Sequence, residues 1–139
     1  MFGDLNPRSG ARKPLGHMLV YRGTNVAVGS ATNIPYDVID VDSDSIWTPS
    51  LNAAVIERAG LYFMGAFLRN GSLGTSTDVR IHLNGTAMAV SAASTGLYNQ
   101  VTCMAILSVG DQISASLSNA ITVSTAGKLS RLELFGPLA

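Results

Sequence analysis

Along this chain the apolar positions come in short runs, and turn residues separate the runs roughly every 8 to 12 positions, the spacing of a β-sandwich or barrel. From His17 onward "HMLVYR" ends at Gly23-Thr24-Asn25, and "NVAVGSA" follows. "YDVIDVD" mixes polar Asp37, Asp40 and Asp42 with apolar Val38, Ile39 and Val41 in imperfect alternation. "DVRIHLNG" alternates strictly, with Val79, Ile81 and Leu83 on one face and Asp78, Arg80 and His82 on the other. Asn84-Gly85 closes it with the hairpin turn that takes positive φ at both central residues, and "TAMAVSA" returns. "VTCMAILSVGD", "QISASLS", "AITVST" and "KLSRLELFG" complete the series. In the last, Leu129, Leu132 and Leu134 do not fall on one face, which predicts a bulge. No stretch carries a sustained helical period with caps. The expected fold class is all-β.

The densest apolar run, Leu61 to Leu68 in "ERAGLYFMGAFLRNGS", breaks the alternation. It is far shorter than the roughly 20 residues that span a bilayer as a helix. Gly60 and Gly65 disfavour a helix, while Tyr62, Phe63 and Phe67 favour a strand. A strand apolar on both faces must be covered on both sides. One cover is the sandwich core, and the other is expected from a second copy of the chain. At the other extreme, residues 1–16 hold Pro7, Pro14, Gly3, Gly10 and Gly16 with Arg8, Arg12 and Lys13 and show neither periodicity. They read as an extended N-terminal arm ahead of a single domain at 17–139.

Composition narrows the function. Of the 139 residues 47% are hydrophobic and 13% charged, with a formal net charge of zero. A nucleic-acid binder would carry a basic excess, and a disordered chain would be far more polar. Little net charge keeps copies apart, which favours self-association. The first residues, "MFGDLNPRSGARKPLG", lack the apolar core of a secretory leader, so synthesis in a cytoplasm is expected. No membrane or nucleic-acid partner is expected. The single cysteine, Cys103, reads as a small buried hydrophobe.

Candidate chemistry is sparse. Asp40, Asp42 and Asp44 in "DVDSDS" imitate the start of a calcium loop, but the sixth and twelfth positions, which need Gly and an acid, are Ser45 and Leu51. They read as a solvated acidic loop. His17 and His82 have no partner at zinc-ligand spacing, and Glu57, Asp78, Asp111 and Glu133 are scattered. Gly110-Asp111 reads as a turn with the carboxylate capping backbone donors. Asn70-Gly71-Ser72 and Asn84-Gly85-Thr86 fit the glycosylation pattern but read as turns. Trp47 reads as packing at the sandwich edge rather than as a sugar platform. Neither an enzymatic activity nor a metal or other cofactor is expected.

Several of these segments, in this order, resemble the jelly-roll family shared by tumour necrosis factor and the complement globular heads. "AGLYFMGAFL" is similar to the family's Gly-x-Tyr strand and "WTPSLNAAVIERAGLYF" to the approach to it. "RIHLNGTAMA" resembles its Arg-x-x-x-Asn-Gly hairpin, "CMAILSVGDQISASLS" its paired strands around Gly-Asp, and "SRLELFGPL" its closing strand. The resemblance covers 17–139. It implies a tight homotrimer with the Gly-x-Tyr strand near the threefold axis, so that Tyr62, Phe63 and Phe67 form the trimer interface. Which of Tyr62 and Phe63 points to the axis depends on the strand register, which the sequence leaves open. A free-standing jelly roll with a short arm is similar to virion proteins of tailed bacteriophages. The expected function is a trimeric capsid decoration (cement) protein, bound to the major capsid protein on the virion surface. The alternative is the receptor- or glycan-binding module of a tail fibre or spike. On the first reading, Met1, Phe2 and Leu5 of the arm fill a groove on the capsid protein and Arg8, Arg12 and Lys13 pair with its acids; on a rival reading the arm packs on an adjacent protomer.

Overall fold

The computed structural model of the chain describes residues 14–124 and 128–138. The arm residues named above, Met1 to Lys13, lie outside the described residues. Among the described residues twelve strands follow one another: β1 (Gly16–Tyr21), β2 (Val26–Val28), β3 (Val38–Asp42), β4 (Trp47–Thr48), β5 (Ala53–Val55), β6 (Gly60–Arg69), β7 (Val79–Leu83), β8 (Thr86–Val90), β9 (Tyr98–Leu107), β10 (Gln112–Leu117), β11 (Ile121–Val123) and β12 (Arg131–Gly136). Two five-stranded antiparallel sheets stack face to face, in the orders β3-β1-β12-β6-β9 and β4-β5-β10-β7-β8, and β2 pairs with β11 in a small ribbon. The first and last strands are neighbours, so the sheet closes late in the sequence.

Period-two alternation places the core. From the first sheet Met18, Val20, Met64, Leu68, Leu132 and Leu134 point inward, and Ile81, Ile113, Ala115 and Leu117 meet them from the second. All are fully buried, which is the main stabilising term in a fold without disulfides. Cys103 is half-buried against the same core, and that burial pushes its thiol pKa up.

The bulges fall elsewhere than expected. β12 pairs without a shift to both β1 and β6. Leu132 and Leu134 share the inward face, and Leu129 precedes the strand. Register shifts occur instead at Leu19/Val20 opposite β3 and at Ile81/His82 opposite β8. β3 and β8 are edge strands, where an unpaired residue disturbs one ladder rather than two.

The sandwich has two distinct ends. At the lower end Gly16 pairs with Gly136, so β1 begins where β12 finishes. Arg58 holds this end together, donating to the Asp44 carboxylate at 2.8 and 3.0 Å and to the Pro14 carbonyl at 3.1 Å. The Asn84-Gly85 turn has positive φ at both residues, as its sequence demands. It is tied to the Gly110-Asp111 turn, since Asn84 donates to Asp111 and accepts from the Gln112 amide. Asp111 also accepts the Ser108 amide at 2.8 Å, and these bonds, the Ser108 amide foremost, hold its carboxyl below the ordinary range. A carboxyl with a depressed pKa stabilises the fold above its unfolded value, about 4, and that contribution disappears as pH falls through the folded value. Asp111→Asn is therefore expected to melt below wild type at neutral pH, with the two melting curves converging on acidification. A gap independent of pH would mean that shape, not charge, is what matters there.

Tyr36 packs edge-on against Trp47, ring centroids 5.8 Å apart. Both rings are buried, and among the described residues the Tyr36 hydroxyl has no hydrogen-bond partner. A buried unpaired hydroxyl costs about 1–3 kcal/mol. Tyr36→Phe keeps the ring contact and removes the orphan, so its melting temperature should equal or exceed that of wild type. A clear loss of stability in thermal unfolding would show that the hydroxyl has a partner.

Candidate functional site

Strand register decides what the first sheet shows to solvent. On β6, Tyr62, Met64, Ala66 and Leu68 are buried inward, leaving Leu61, Phe63, Gly65, Phe67 and Arg69 outward. β9 continues this face with Ile106, Met104, Thr102, Gln100 and Tyr98 opposite those five positions in turn. β12 adds Phe135, Glu133 and Arg131 opposite Phe63, Gly65 and Phe67. This register turns Phe63 outward and Tyr62 inward.

Tyr62 thus corrects the expectation that it lies at an intersubunit surface. Its ring is 2% exposed inside its own sandwich, and its hydroxyl donates to the Arg58 carbonyl at 2.8 Å. Burial is the largest influence on that hydroxyl and pushes its pKa up. The ring fits because residue 136 is glycine, as a Cβ there would collide with it.

The outward face changes character along its length. Its lower half is apolar: Phe63 is 40% exposed, Met104 55% and Ile106 81%. Beside them the Phe135 ring stacks under His17 at 4.2 Å, and the His17 ring nitrogen meets Glu133 at 2.8 Å. The upper half is polar and aromatic. The Phe67 ring folds back over Gly65, where an added Cβ would stand 2.8 Å from the ring edge. The Arg131 guanidinium lies 4.0 Å above Phe67, and that of Arg69 is 5.9 Å from the Tyr98 ring. Phe67, Tyr98, Gln100, Leu129 and Arg131 line a cavity of about 500 Å³ at this end.

The three acids of "DVDSDS" part company. Asp40 takes Lys128 at 2.6 Å, Asp42 accepts the Ile46 and Trp47 amides at 2.9 and 2.8 Å, and Asp44 pairs with Arg58. Among the described residues no group of three His, Cys, Asp or Glu side chains is placed to share an ion. Asp78 pairs with Arg80, and His82 meets the buried Ser116 hydroxyl at 2.6 Å. Trp47 is buried on the edge strand β4, and Glu57 is exposed.

No family model matches the chain, and no curated protein matches it. Solved structures do. Murine APRIL superposes with a TM-score of 0.71 at 10% identity, over 89% of this chain and all of that one. The Eiger TNF of S. frugiperda gives 0.63 at 14% identity, covering 88% and 91% of the two chains. The globular domain of zebrafish complement 1qA protein gives 0.56 at 12% identity, covering 88% and 94%. The fold is the TNF-like jelly roll. At these identities the likeness concerns the fold alone. β6 carries this chain's Gly60-Leu61-Tyr62, and Phe63, the residue after the tyrosine, faces out.

Sequence reading found the strand but missed the cluster around the cavity. Phe67, Tyr98 and Arg131 are far apart in the chain and meet only because β6 pairs with both β9 and β12. The available signal was Phe67 lying four residues after Phe63, on the same face of one strand.

Proposed function

We propose that this chain is a self-associating structural module, a homotrimeric decoration (cement) protein on the capsid of a tailed bacteriophage, with no enzymatic role. The observation that carries the reading is the apolar lower half of the outward face. Phe63, Met104 and Ile106 crowd together on the last two strands of the sheet, and β9 is an edge strand of ten residues. A monomer rarely leaves such a patch and such an edge uncovered. A second and third copy, each covering part of its neighbour, satisfy both at once. The near-zero net charge removes the repulsion that would oppose close assembly. The capsid is the partner that a small, neutral, oligomeric jelly roll suits, and the virion surface is its place after synthesis in the host cytoplasm. Labelled protein imaged on intact particles tests this directly. Copies spread over the shell support decoration, while label confined to one vertex supports the receptor-binding tail module instead.

A further inference from the structure

The upper half of the outward face is short of negative charge. Arg131 stands opposite Phe67 in the ladder between β6 and β12, and Arg69 follows Phe67 by two positions on the same face. Diagonal neighbours across a ladder are about 7–8 Å apart, so two such side chains can reach one small ligand. The Arg131 guanidinium lies 4.0 Å over the Phe67 ring, and that of Arg69 is 5.9 Å from the Tyr98 ring. Arg131 donates to the Lys128 carbonyl at 3.1 Å. On β6, β9 and β12 the only carboxylate is Glu133. One of its oxygens is 3.8 Å from Arg131, and the other meets His17 at 2.8 Å. Arg69 has no carboxylate partner among the described residues.

Assembly changes what these charges cost. A neighbour that covers the apolar patch and the β9 edge also closes over the cavity of about 500 Å³ lined by Phe67, Tyr98, Gln100 and Arg131. Guanidiniums that water solvates in a single copy lose that water, and a buried cation without an anion is strongly destabilising. The neighbour's own carboxylates are badly placed to help. Among the described residues Asp37, Asp40, Asp44, Asp78 and Glu133 each face a cation, and Asp42 accepts two backbone amides. Glu57 and Asp111 lie together at the lower end, where the Ile56 amide donates to the Asp111 carbonyl. Copies related by a rotation and joined through their lower halves set lower end beside lower end.

We infer that the assembled protein binds an inorganic tetrahedral oxyanion, of the phosphate or sulfate class, at the upper end between copies. The planar fork of Arg131 matches such an oxyanion, Arg69 adds a second cation, and Gln100, across from Phe67, adds an amide donor. The neighbouring copy supplies the cover that excludes water and so strengthens these bonds, which leaves the site incomplete in a single copy. The inference rests on the self-association reading. Its consequence is an assembly that takes up an anion as it forms.

The test is sedimentation of the full-length chain at constant ionic strength, with chloride replaced stepwise by low-millimolar inorganic phosphate, too dilute for general salting-out. An ion bound only by the assembled form tightens it by mass action, about tenfold when present at ten times its dissociation constant. The protein concentration at which copies separate should therefore fall by about tenfold as phosphate replaces chloride. Arg69→Gln and Arg131→Gln each remove an outward cation that otherwise needs a partner. Each should assemble in chloride at least as tightly as wild type and should no longer respond to phosphate. Wild-type assembly that is equally tight in chloride and phosphate overturns the inference and leaves self-association standing. So does an unchanged phosphate response in both variants, which would mark a general salt effect. A chain that stays monomeric in every buffer sinks the self-association reading, and the site with it.

Discussion

On the proposed trimeric assembly, Phe63→Asp should sediment as a folded monomer and the wild-type chain as a trimer. The side chain is outward and 40% exposed in the isolated sandwich, flanked across the strands by Met104 and Phe135. Replacing it therefore removes little from the core of its own subunit, and a carboxylate at that position meets water in the monomer. Interfaces of permanent oligomers are apolar and resemble a core cut in half. Moving an unpaired carboxylate into one costs several kcal/mol per copy, enough to shift the equilibrium by orders of magnitude. The far-UV circular dichroism should remain that of a β-sandwich, and the melting temperature should no longer rise with protein concentration. Met104→Asp should behave in the same way. A Phe63→Asp protein that still sediments as the wild-type assembly would remove the lower half of the face from the interface.

Tyr62→Asp, one residue earlier, should fail for a different reason. The Tyr62 ring is buried within its own subunit against Gly136, and its hydroxyl satisfies the Arg58 carbonyl, which belongs to the same cluster that ties Asp44 and Pro14 at the lower end. Loss of a large buried aromatic alone costs about 3–5 kcal/mol, and a buried unpaired charge adds to it. Total stabilities of small domains run at about 5–15 kcal/mol. The variant is therefore expected in the insoluble fraction or unfolded, and the milder Tyr62→Phe, which loses only the hydrogen bond, should fall by about 1 kcal/mol in urea unfolding. Recovery of Tyr62→Asp as a soluble, cooperatively folded monomer would contradict the inward placement. The contrast between adjacent positions is the sharper test, because a strand register shifted by one residue exchanges the two outcomes.

What the sequence by itself determined is whatever depends on neighbours in the chain. Short apolar runs between turn residues specified an all-β sandwich, Asn84-Gly85 specified its hairpin because few other pairs accept positive φ twice, and Gly110-Asp111 specified a turn with its own capping acid. The doubly apolar run at Leu61–Leu68 marked a strand that needs cover on both sides, with no indication of which aromatic faces which cover. That choice was settled by pairing: the register of β6 against β12 and β9 turns Tyr62 to the core and Phe63 to solvent. Pairing also moved the bulges to the edge strands, and it sent Asp40, Asp42 and Asp44 to three separate partners. Arg131, Phe67 and Tyr98 came together for the same reason. Hydrogen-bonded ladders bring strands together irrespective of their distance along the chain, and a side chain's face is fixed only once its strand has a partner.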